Sequence, residues 1–286
     1  MFRSLRRKAP MEKLLYLFVS AIFLVVALSY IYIFVWTLIS SLKTHAEICL
    51  DPFSLPKVWN WEHYVEMFDV FQVGEHRFFE MLFNSVWFSV LTALLVMFVT
   101  ITFSYACTMY VFPGSKLAYT IILIMITLPI YGNGGAIYKI YHHLGLIDSY
   151  LIVLAAASGF NTCFLYFRAY FKNMSNSYIE AAMMDGANDF QIYFKVMFPQ
   201  ARPIFVALFL TQWLGGWNSY ESALLYYPNL PTLPVGIYKF NLEMIYRARL
   251  DILFAACIFV SIPALIMFIV FNKTLTESVS VGGLKG

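Results

Sequence analysis

Residues 14–41 read LLYLFVSAIFLVVALSYIYIFVWTLISS, a long run without a single Lys, Arg, Asp or Glu. A helix crosses the hydrocarbon core of a bilayer with about 20 mostly apolar residues, so this run is long enough to span the bilayer and to tilt in it. It follows a basic N-terminal cluster and is too long for the apolar region of a cleavable signal peptide. We interpret it as a retained membrane anchor.

The composition of the whole chain agrees with a membrane protein. Of its 286 residues, 61% are hydrophobic and 12% are charged, whereas a soluble domain has about 25% charged residues. Five further apolar runs follow the first, and none of them contains Lys, Arg, Asp or Glu. The sequence therefore predicts an all-α, polytopic membrane protein with six transmembrane helices, at residues 14–41, 85–109, 117–138, 150–167, 203–220 and 252–271.

Basic residues set the expected orientation, because cytoplasmic loops of membrane proteins are enriched in Lys and Arg. If the N-terminus is cytoplasmic, twelve of the 19 Lys and Arg residues lie inside and seven lie outside. Both termini are then cytoplasmic, although Arg247 and Arg249 fall in an outer loop. The organisation is a basic N-terminus at 1–13, a transmembrane domain at 14–272 and a cytoplasmic tail at 273–286.

Catalytic and metal-binding patterns are lacking in the sequence. The four cysteines are widely spaced, and neither a CxxC pair nor a Cys/His cluster indicates a metal site or a disulfide framework. The five histidines all fall in predicted outer loops, without a Ser/His/Asp or HExxH pattern. An intramembrane enzyme would need ionisable or nucleophilic residues clustered at membrane depth, so we expect neither an enzyme nor a metal site.

The third, fourth and fifth predicted spans include irregular and polar segments. The third carries Pro129 and a Gly-rich stretch at 132–135, and the fourth carries Gly159 and Asn161. Irregular backbone inside a membrane is tolerated where it packs on protein or lines a wet cavity. Close helix packing through small residues is the alternative. A substrate pathway is the hypothesis for the following polar and aromatic residues: Asn161, Gln212, Trp213, Trp217, Asn218 and Tyr220.

The fifth span also indicates the class of substrate. Helical spacing places Trp213, Trp217 and Tyr220 on one face, and aromatic faces with neutral hydrogen-bonding groups are typical of sugar binding. A charged substrate would need a counter-charge within the membrane, and the nearest candidate is Glu221 at the outer edge. An interfacial aromatic belt or bundle packing explains the same residues, and both explanations remain open.

The predicted cytoplasmic loop between the fourth and fifth spans reads NMSNSYIEAAMMDGANDFQIYFKVMFPQAR over residues 173–202. Ser177 and Glu180 have the spacing of a capping box at a helix start. Gly186 permits a sharp turn, and Asn188 or Asp189 can cap a second short helix. That second helix is expected to stop before Pro199.

Apolar side chains are expected on the surface of this helical hairpin, namely Tyr178, Ile179, Met183 and Met184. An exposed apolar patch usually marks an interaction site. An amphipathic helix can insert into the groove of a partner protein, or it can lie on the membrane interface. The residues alone favour a partner but do not exclude the membrane.

Within this loop, EAAMMDGANDFQIYFKVMFP resembles the EAA motif of binding-protein-dependent ABC importer permeases. Glu180, Ala181, Ala182, Asp185, Gly186 and Ala187 match the E-A-A-x-x-D-G-A form of the sugar subfamily, and Pro199 follows at the family's spacing. The resemblance extends along nearly the whole chain, through the motifs FNS at 83–85, FPG at 112–114, LGLIDS at 144–149, WNSY at 217–220, TLPVG at 232–236 and GGLKG at 282–286. The last of these is similar to the tail of maltose-type permeases of the smaller kind. The Gly-rich YGNGGA at 131–136 departs from the family pattern.

The resemblance implies a subunit that does no chemistry and binds no cofactor. It implies a second permease subunit as heterodimer partner, an ATPase dimer that holds ATP and Mg²⁺, an extracytoplasmic solute-binding protein, a sugar substrate and no nucleic acid. The location would be the bacterial inner membrane. The residues implied to couple to the ATPase are Glu180, Ala181, Ala182, Met183, Asp185, Gly186 and Phe190.

Two other functions fit part of the pattern. An ABC permease for a non-sugar solute would share the loop, but those branches typically lack the DGA string. A stand-alone secondary carrier would usually need intramembrane charge for ion coupling, and it would leave the apolar loop unexplained. Uptake that depends on ATP and a co-expressed ATPase distinguishes an importer from a carrier.

Overall fold

The structure, a computed structural model, describes residues 10–110, 112–128, 132, 134–243, 246 and 248–282. Predictions about residues 1–9, Pro129, Tyr131, Asn133, Arg247 and 283–286 lie outside the described residues. The described part is helical and contains no β-strand. In chain order its elements are α1 Pro10–Ser41, α2 His45–Leu50, α3 His63–Val70, α4 Phe78–Met109, α5 Ser115–Thr127, α6 Gly134–His143, a 3₁₀ helix Tyr150–Ala156, α7 Cys163–Lys172, α8 Ser177–Met184, α9 Asp189–Gln191, a π-helix Ile192–Met197, α10 Phe198–Gln200, α11 Arg202–Asn218, α12 Glu221–Tyr226, α13 Leu233–Leu242 and α14 Leu250–Gly282.

Three of these helices are long and apolar enough to cross a membrane, at Met11–Ser41, Phe78–Met109 and Leu250–Lys273. They correspond to the first, second and sixth predicted spans. The most apolar 18 residues of α1 are not buried by the other described residues, so this part of α1 needs lipid or another subunit around it. The last helix continues to Gly282, so part of the segment that we predicted as a tail is helical.

The third and fourth predicted spans are divided into shorter pieces, and the fifth is a helix of 17 residues. In the third, α5 ends at Thr127 and α6 begins at Gly134, which agrees with the expected interruption. The prediction of a continuous helix at 150–167 was wrong, whereas the predicted span at 203–220 corresponds to one continuous helix, α11. A 3₁₀ helix ends at Ala156 before α7 begins at Cys163, and α11 ends at Asn218. Six membrane crossings therefore stay a prediction.

The break before α7 has a clear cause in its hydrogen bonds to α4. Thr100 Oγ1 donates to the carbonyl of Ser158 at 3.1 Å, and Asn161 Nδ2 donates to Thr100 Oγ1 at 2.7 Å. The Asn161 side-chain oxygen in turn accepts from the Cys163 backbone N–H at 2.9 Å. This N–H belongs to the first turn of α7 and would otherwise lack a partner. The break is therefore fixed by specific polar contacts, and Asn161 has its own structural role there.

The described residues form two compact units. The first unit contains the chain up to Phe71 together with Phe240–Ser261. Within it, Arg249 Nη1 and Nη2 donate to the two carboxylate oxygens of Glu66 at 2.8 and 2.7 Å. Arg249 Nη2 also donates to Asp251 at 2.9 Å. The hydrogen bonds of Arg249 lower the pKa of Glu66, because they favour the charged carboxylate.

The second unit contains Gln72–Lys239 and the chain from Ile262 onwards. In it, α4 packs against both α7 and α11. The packing is close, because a Cβ added to Gly216 of α11 would lie 3.5 Å from Ser89 Cα of α4. A cluster of buried side chains joins these helices to the loop at 173–202, and its members include Met97, Ile101, Phe167, Phe171, Ile192, Tyr193 and Met197.

Candidate functional site

The first half of the EAA loop (residues 173–202) is the helix α8. The predicted capping box of Ser177 and Glu180 was wrong, because α8 begins at Ser177 with Asn176 in the N-cap position, and the Asn176 side chain makes no capping hydrogen bond. Ser177 Oγ instead pairs with Ser175 Oγ at 2.7 Å. The Glu180 side chain is exposed. A carboxylate near a helix N-terminus is stabilised by the helix dipole, and an exposed one remains available to a partner.

The turn between the two helices of the loop has the geometry of a Schellman motif. The backbone N–H of Ala187 donates to the carbonyl of Ala182 at 3.0 Å, and that of Gly186 donates to Met183 at 3.0 Å. Gly186 has a φ of +75°, a left-handed conformation that costs about 1–2 kcal/mol for a residue with a Cβ. The prediction that Gly186 makes this turn is confirmed.

The second half of the loop begins with the expected cap. Asn188 Oδ1 accepts from the Gln191 backbone N–H at 2.9 Å, and the Gln191 side chain accepts from the Asn188 N–H at 3.1 Å. The predicted stop before Pro199 was wrong. A π-helix from Ile192 to Met197 precedes Pro199, which lies in the first turn of the following α-helical segment. A proline is tolerated there because its missing N–H is not needed, so the loop continues almost directly into α11.

The surface of the loop combines apolar side chains with carboxylates. The exposed fraction is 89% for Met184 and 72% for Phe190. Tyr178 and Met183 are also exposed, whereas Ile179 is half-buried against the core and Ala182 is buried. Three acidic residues on the same loop are exposed, namely Glu180, Asp185 and Asp189. The exposed surface of residues 177–190, which contain no Lys or Arg, is therefore apolar with an acidic rim. It is complementary to an apolar groove with basic residues at its edge.

The second half of the loop is anchored in the second unit. Tyr193 is buried, and its hydroxyl lies 2.8 Å from Thr102 Oγ1 of α4. Burial raises the pKa of the Tyr193 phenol, so the phenol keeps its proton at neutral pH. The Tyr170 hydroxyl of α7 donates to the carbonyl of Gln200 at 2.7 Å. The exposed part of the loop is thus connected to α4, α7 and α11 through packed and hydrogen-bonded groups.

The six residues of the predicted substrate pathway do not form one surface. Trp213 and Trp217 are buried, with ring centroids 5.5 Å apart. Gln212 and Asn218 are exposed, and Tyr220 stacks on Tyr238 at 4.8 Å. Asn161 is half-buried at the break before α7. The indole N–H of Trp213 is enclosed without a hydrogen-bond partner among the described residues.

Residues that the sequence did not single out come together elsewhere in the second unit. Asp148 accepts from the backbone and the side-chain amide of Asn229 at 2.8 and 3.1 Å. Asn84 of α4 donates to the carbonyl of Pro231 and accepts from the Tyr150 hydroxyl. Local sequence patterns carry no signal for such long-range pairs, although 83–85 and 144–149 were noted as motifs.

Comparison with known proteins identifies the family to which this chain belongs. A family model described as "Binding-protein-dependent transport system inner membrane component" matches residues 5–281. The arabinooligosaccharides transport system permease protein AraQ of Bacillus subtilis (strain 168) is 27% identical over 285 residues, 98% of this chain and 99% of AraQ. The diacetylchitobiose uptake system permease protein NgcG of Streptomyces coelicolor is 31% identical over 253 residues, 86% of this chain and 82% of NgcG.

A solved structure shares the fold. A chain in the crystal structure of a bacterial ABC transporter involved in the import of the acidic polysaccharide alginate matches with a TM-score of 0.77. The match covers 93% of this chain and 98% of that chain, at 21% identity. The chain therefore belongs to the family of inner membrane components of binding-protein-dependent transport systems, the permease subunits of ABC transporters, which are not enzymes themselves.

Proposed function

We propose that this chain forms half of the translocation pathway of an ATP-driven importer for a sugar or oligosaccharide. In this proposal the EAA loop docks on a cytoplasmic ATPase dimer, which binds ATP and Mg²⁺. A second permease subunit completes the pathway, and an extracytoplasmic solute-binding protein delivers the substrate. The chain would cross the bacterial inner membrane several times, with both termini in the cytoplasm.

The observation that carries the docking role is the exposed, acid-rimmed apolar surface of the EAA loop. Met184 and Phe190 are largely exposed, and water contact with such side chains is unfavourable by about 25 cal/mol for each Å². The same loop continues through the π-helix into α11 and is bonded to α4 and α7. An exposed apolar end with a firmly anchored base suits a part that receives motion from a partner and transmits it.

The sugar class rests on two observations. The names of the relatives AraQ and NgcG refer to arabinooligosaccharides and diacetylchitobiose, which are both built of sugar units. The six predicted spans contain no Lys, Arg, Asp or Glu, so they offer no counter-charge for an ionic substrate. An uncharged saccharide fits both observations better than an ion or a charged amino acid.

Co-purification with the ATPase tests the docking role. In a double variant with Met184→Asp and Phe190→Asp, like charge on the acidic rim and loss of apolar area should abolish retention of the ATPase on the tagged permease. Phe53→Asp is the matched control, since Phe53 is 76% exposed and lies in the first predicted outer loop. Full retention by the double variant would refute docking at this surface.

A further inference from the structure

A cavity of about 200 Å³ lies within the second unit. It is bounded by α4, the 3₁₀ helix, the end of α11 and the segment that follows α11. Gly216 and Ser219 contribute the α11 side of the wall. Ser219 directly follows the end of α11. Gly216 shares a helix face with the exposed Gln212, at i and i+4, so the cavity lies beside a face that holds one residue of the predicted pathway.

Six of the residues that line the cavity have a hydroxyl group, namely Thr92, Tyr141, Ser219, Ser222, Tyr226 and Tyr227. None of these six hydroxyls is hydrogen-bonded within the part of the chain that the structure describes. The fully enclosed unpaired side-chain atoms of that part belong to Ser40, Trp213 and Thr232 instead. The six hydroxyls therefore keep access to open space and are available to a ligand with hydroxyl groups of its own.

Aromatic rings form the second component of the wall. Phe88 stacks on Tyr227 with centroids 4.0 Å apart and planes at 20°, and Tyr150 supports the same Phe88 ring at 5.7 Å. Tyr141 packs edge-on against Tyr226 at 5.1 Å. Stacked rings held by one another lose little freedom when they bind a ligand, and they offer rigid apolar contact beside polar hydroxyls.

Charge and size limit the ligand. The lining contains no Lys, Arg, Asp, Glu or His, so a charged group would lose its hydration without compensation. The volume is below the ~300–1,000 Å³ of pockets for drug-sized ligands, so one ring fits and a chain of rings does not. The hydrogen bond from the Asp148 backbone N–H to the Tyr226 carbonyl, at 3.0 Å, holds the segment that carries Tyr226 and Tyr227.

We propose that this cavity binds a single uncharged sugar ring within this subunit. The class of substrate in this proposal rests on the proposed function. The site itself is a different one from the buried pair Trp213 and Trp217, which do not line the cavity. The hydroxyls bind the ring hydroxyls of the sugar, and the Phe88–Tyr227 stack contacts its apolar face.

Equilibrium dialysis of the whole importer complex in nanodiscs, without the solute-binding protein, tests the site. The probes are radiolabelled D-glucose, D-galactose and L-arabinose, with D-glucuronate as the charged comparison. The triple variant Tyr141→Phe, Tyr226→Phe, Tyr227→Phe keeps the rings and removes three hydroxyls. We expect it to bind the preferred neutral sugar about tenfold more weakly or worse. Ser222→Leu, which fills the space, should give a similar loss.

Tyr166→Phe is the matched control, because Tyr166 is exposed and lies outside the cavity. It should bind the sugar as the unaltered chain does. Unchanged affinity in the triple variant and in Ser222→Leu would overturn the proposal. So would tighter binding of glucuronate, or no saturable binding of any neutral sugar to the unaltered complex.

ATP-driven uptake in proteoliposomes with the solute-binding protein separates this inference from the proposed function. Uptake that persists while the cavity binds no sugar refutes the cavity and leaves the importer intact. Binding at the cavity without ATP-driven uptake refutes the importer and leaves the site.

Discussion

The phenol of Tyr193, in the π-helix of the EAA loop, donates its proton to Thr102 Oγ1 of α4 across 2.8 Å. The direction follows from the second bond of Thr102, whose hydroxyl proton is donated to the Phe98 carbonyl at 2.8 Å. The pair joins two segments that are 91 residues apart in the sequence. It connects the part of the loop behind the exposed surface to a helix that is long enough to cross the membrane.

Removal of this hydrogen bond should impair coupling more than folding. Tyr193→Phe leaves the Thr102 oxygen without its donor, so we expect a loss of about 0.5–1.5 kcal/mol in the free energy of unfolding. ATP hydrolysis should continue, but more ATP should be consumed for each sugar molecule imported. Parallel assays of hydrolysis and uptake in proteoliposomes measure this ratio.

A double-mutant cycle is the control for that prediction. Thr102→Val and Tyr193→Phe should each raise the ratio of ATP to sugar, and the double variant should add little to either. Fully additive effects would mean that the two residues act independently, which would contradict a shared link.

The turn at Gly186 should be needed for coupling and not only for stability. Gly186→Ala places a Cβ at φ +75°, where nothing lies within 4 Å to clash with it. We therefore expect a strain of about 1–2 kcal/mol and a changed angle between α8 and the following segment. ATP-dependent uptake should fall at least several-fold, as measured with a radiolabelled sugar.

Gly145→Ala is the comparison for backbone strain alone. Gly145 has a φ of +65° and also has nothing within 4 Å of an added Cβ. A similar change in melting temperature with normal uptake is expected. If the two variants lose uptake equally, the strain and not the loop explains the effect of Gly186→Ala.

The exposed Glu180 should contribute to binding of the ATPase and not to the stability of the permease itself. No ion pair with Glu180 is found among the described residues, so Glu180→Lys should change the melting temperature of the isolated permease only slightly. The ATPase should bind this variant at least about tenfold more weakly, because a like charge would face its basic groups. Titration of the permease with the ATPase in nanodiscs measures the affinity, and an unchanged affinity would exclude Glu180 from the interface.

Several of these features could be predicted from the sequence because they are local. The positive φ of Gly186 and the cap at Asn188 follow from the conformational freedom of glycine and from the short side chain of Asn. The start of α8 could not be decided in the same way, since Asn176 and Ser177 are both good N-cap residues. In the structure Ser177 Oγ pairs with Ser175 Oγ and does not cap the helix, and the sequence pattern does not encode this pairing.

Tertiary contacts account for the remaining differences. We predicted that the helix would end before Pro199. The π-helix instead leads into a new α-helical segment, and Pro199 lies in its first turn, where the missing N–H is not needed. Asn161 was assigned to the pathway on polarity alone, whereas its hydrogen bond to Thr100 depends on where α4 packs. The burial of Trp213 and Trp217 depends on neighbours distant in sequence, and so does the cavity beside Phe88.

Acid should weaken the ion cluster in the first unit. Hydrogen bonds from Arg249 lower the pKa of Glu66, so this carboxylate contributes stability above its unfolded pKa of about 4.3. That contribution is lost as the pH falls through the lower folded value. Because the Glu66 side chain is 44% exposed, we expect at most about 1 kcal/mol.

Melting curves of the unaltered chain and of Glu66→Gln check this sign. The variant should melt at a lower temperature at pH 7. The difference should shrink as the pH falls through the lowered pKa of Glu66, and it should disappear below that pKa, where both forms lack the charge. A difference that grows on acidification would contradict the assignment. Glu75→Gln, an exposed acidic residue on the same predicted side, provides a comparison.

Site-directed crosslinking from Met184 tests the docking of the EAA loop most directly. Met184→Cys in inner-membrane vesicles that contain the whole complex should crosslink to the ATPase subunit through a short thiol-reactive linker, and Phe53→Cys should not. We also expect Met184→Cys in intact cells to resist a thiol reagent that cannot cross the membrane. Labelling of Met184→Cys from outside the cell, or no crosslink to the ATPase in the assembled complex, would contradict the account.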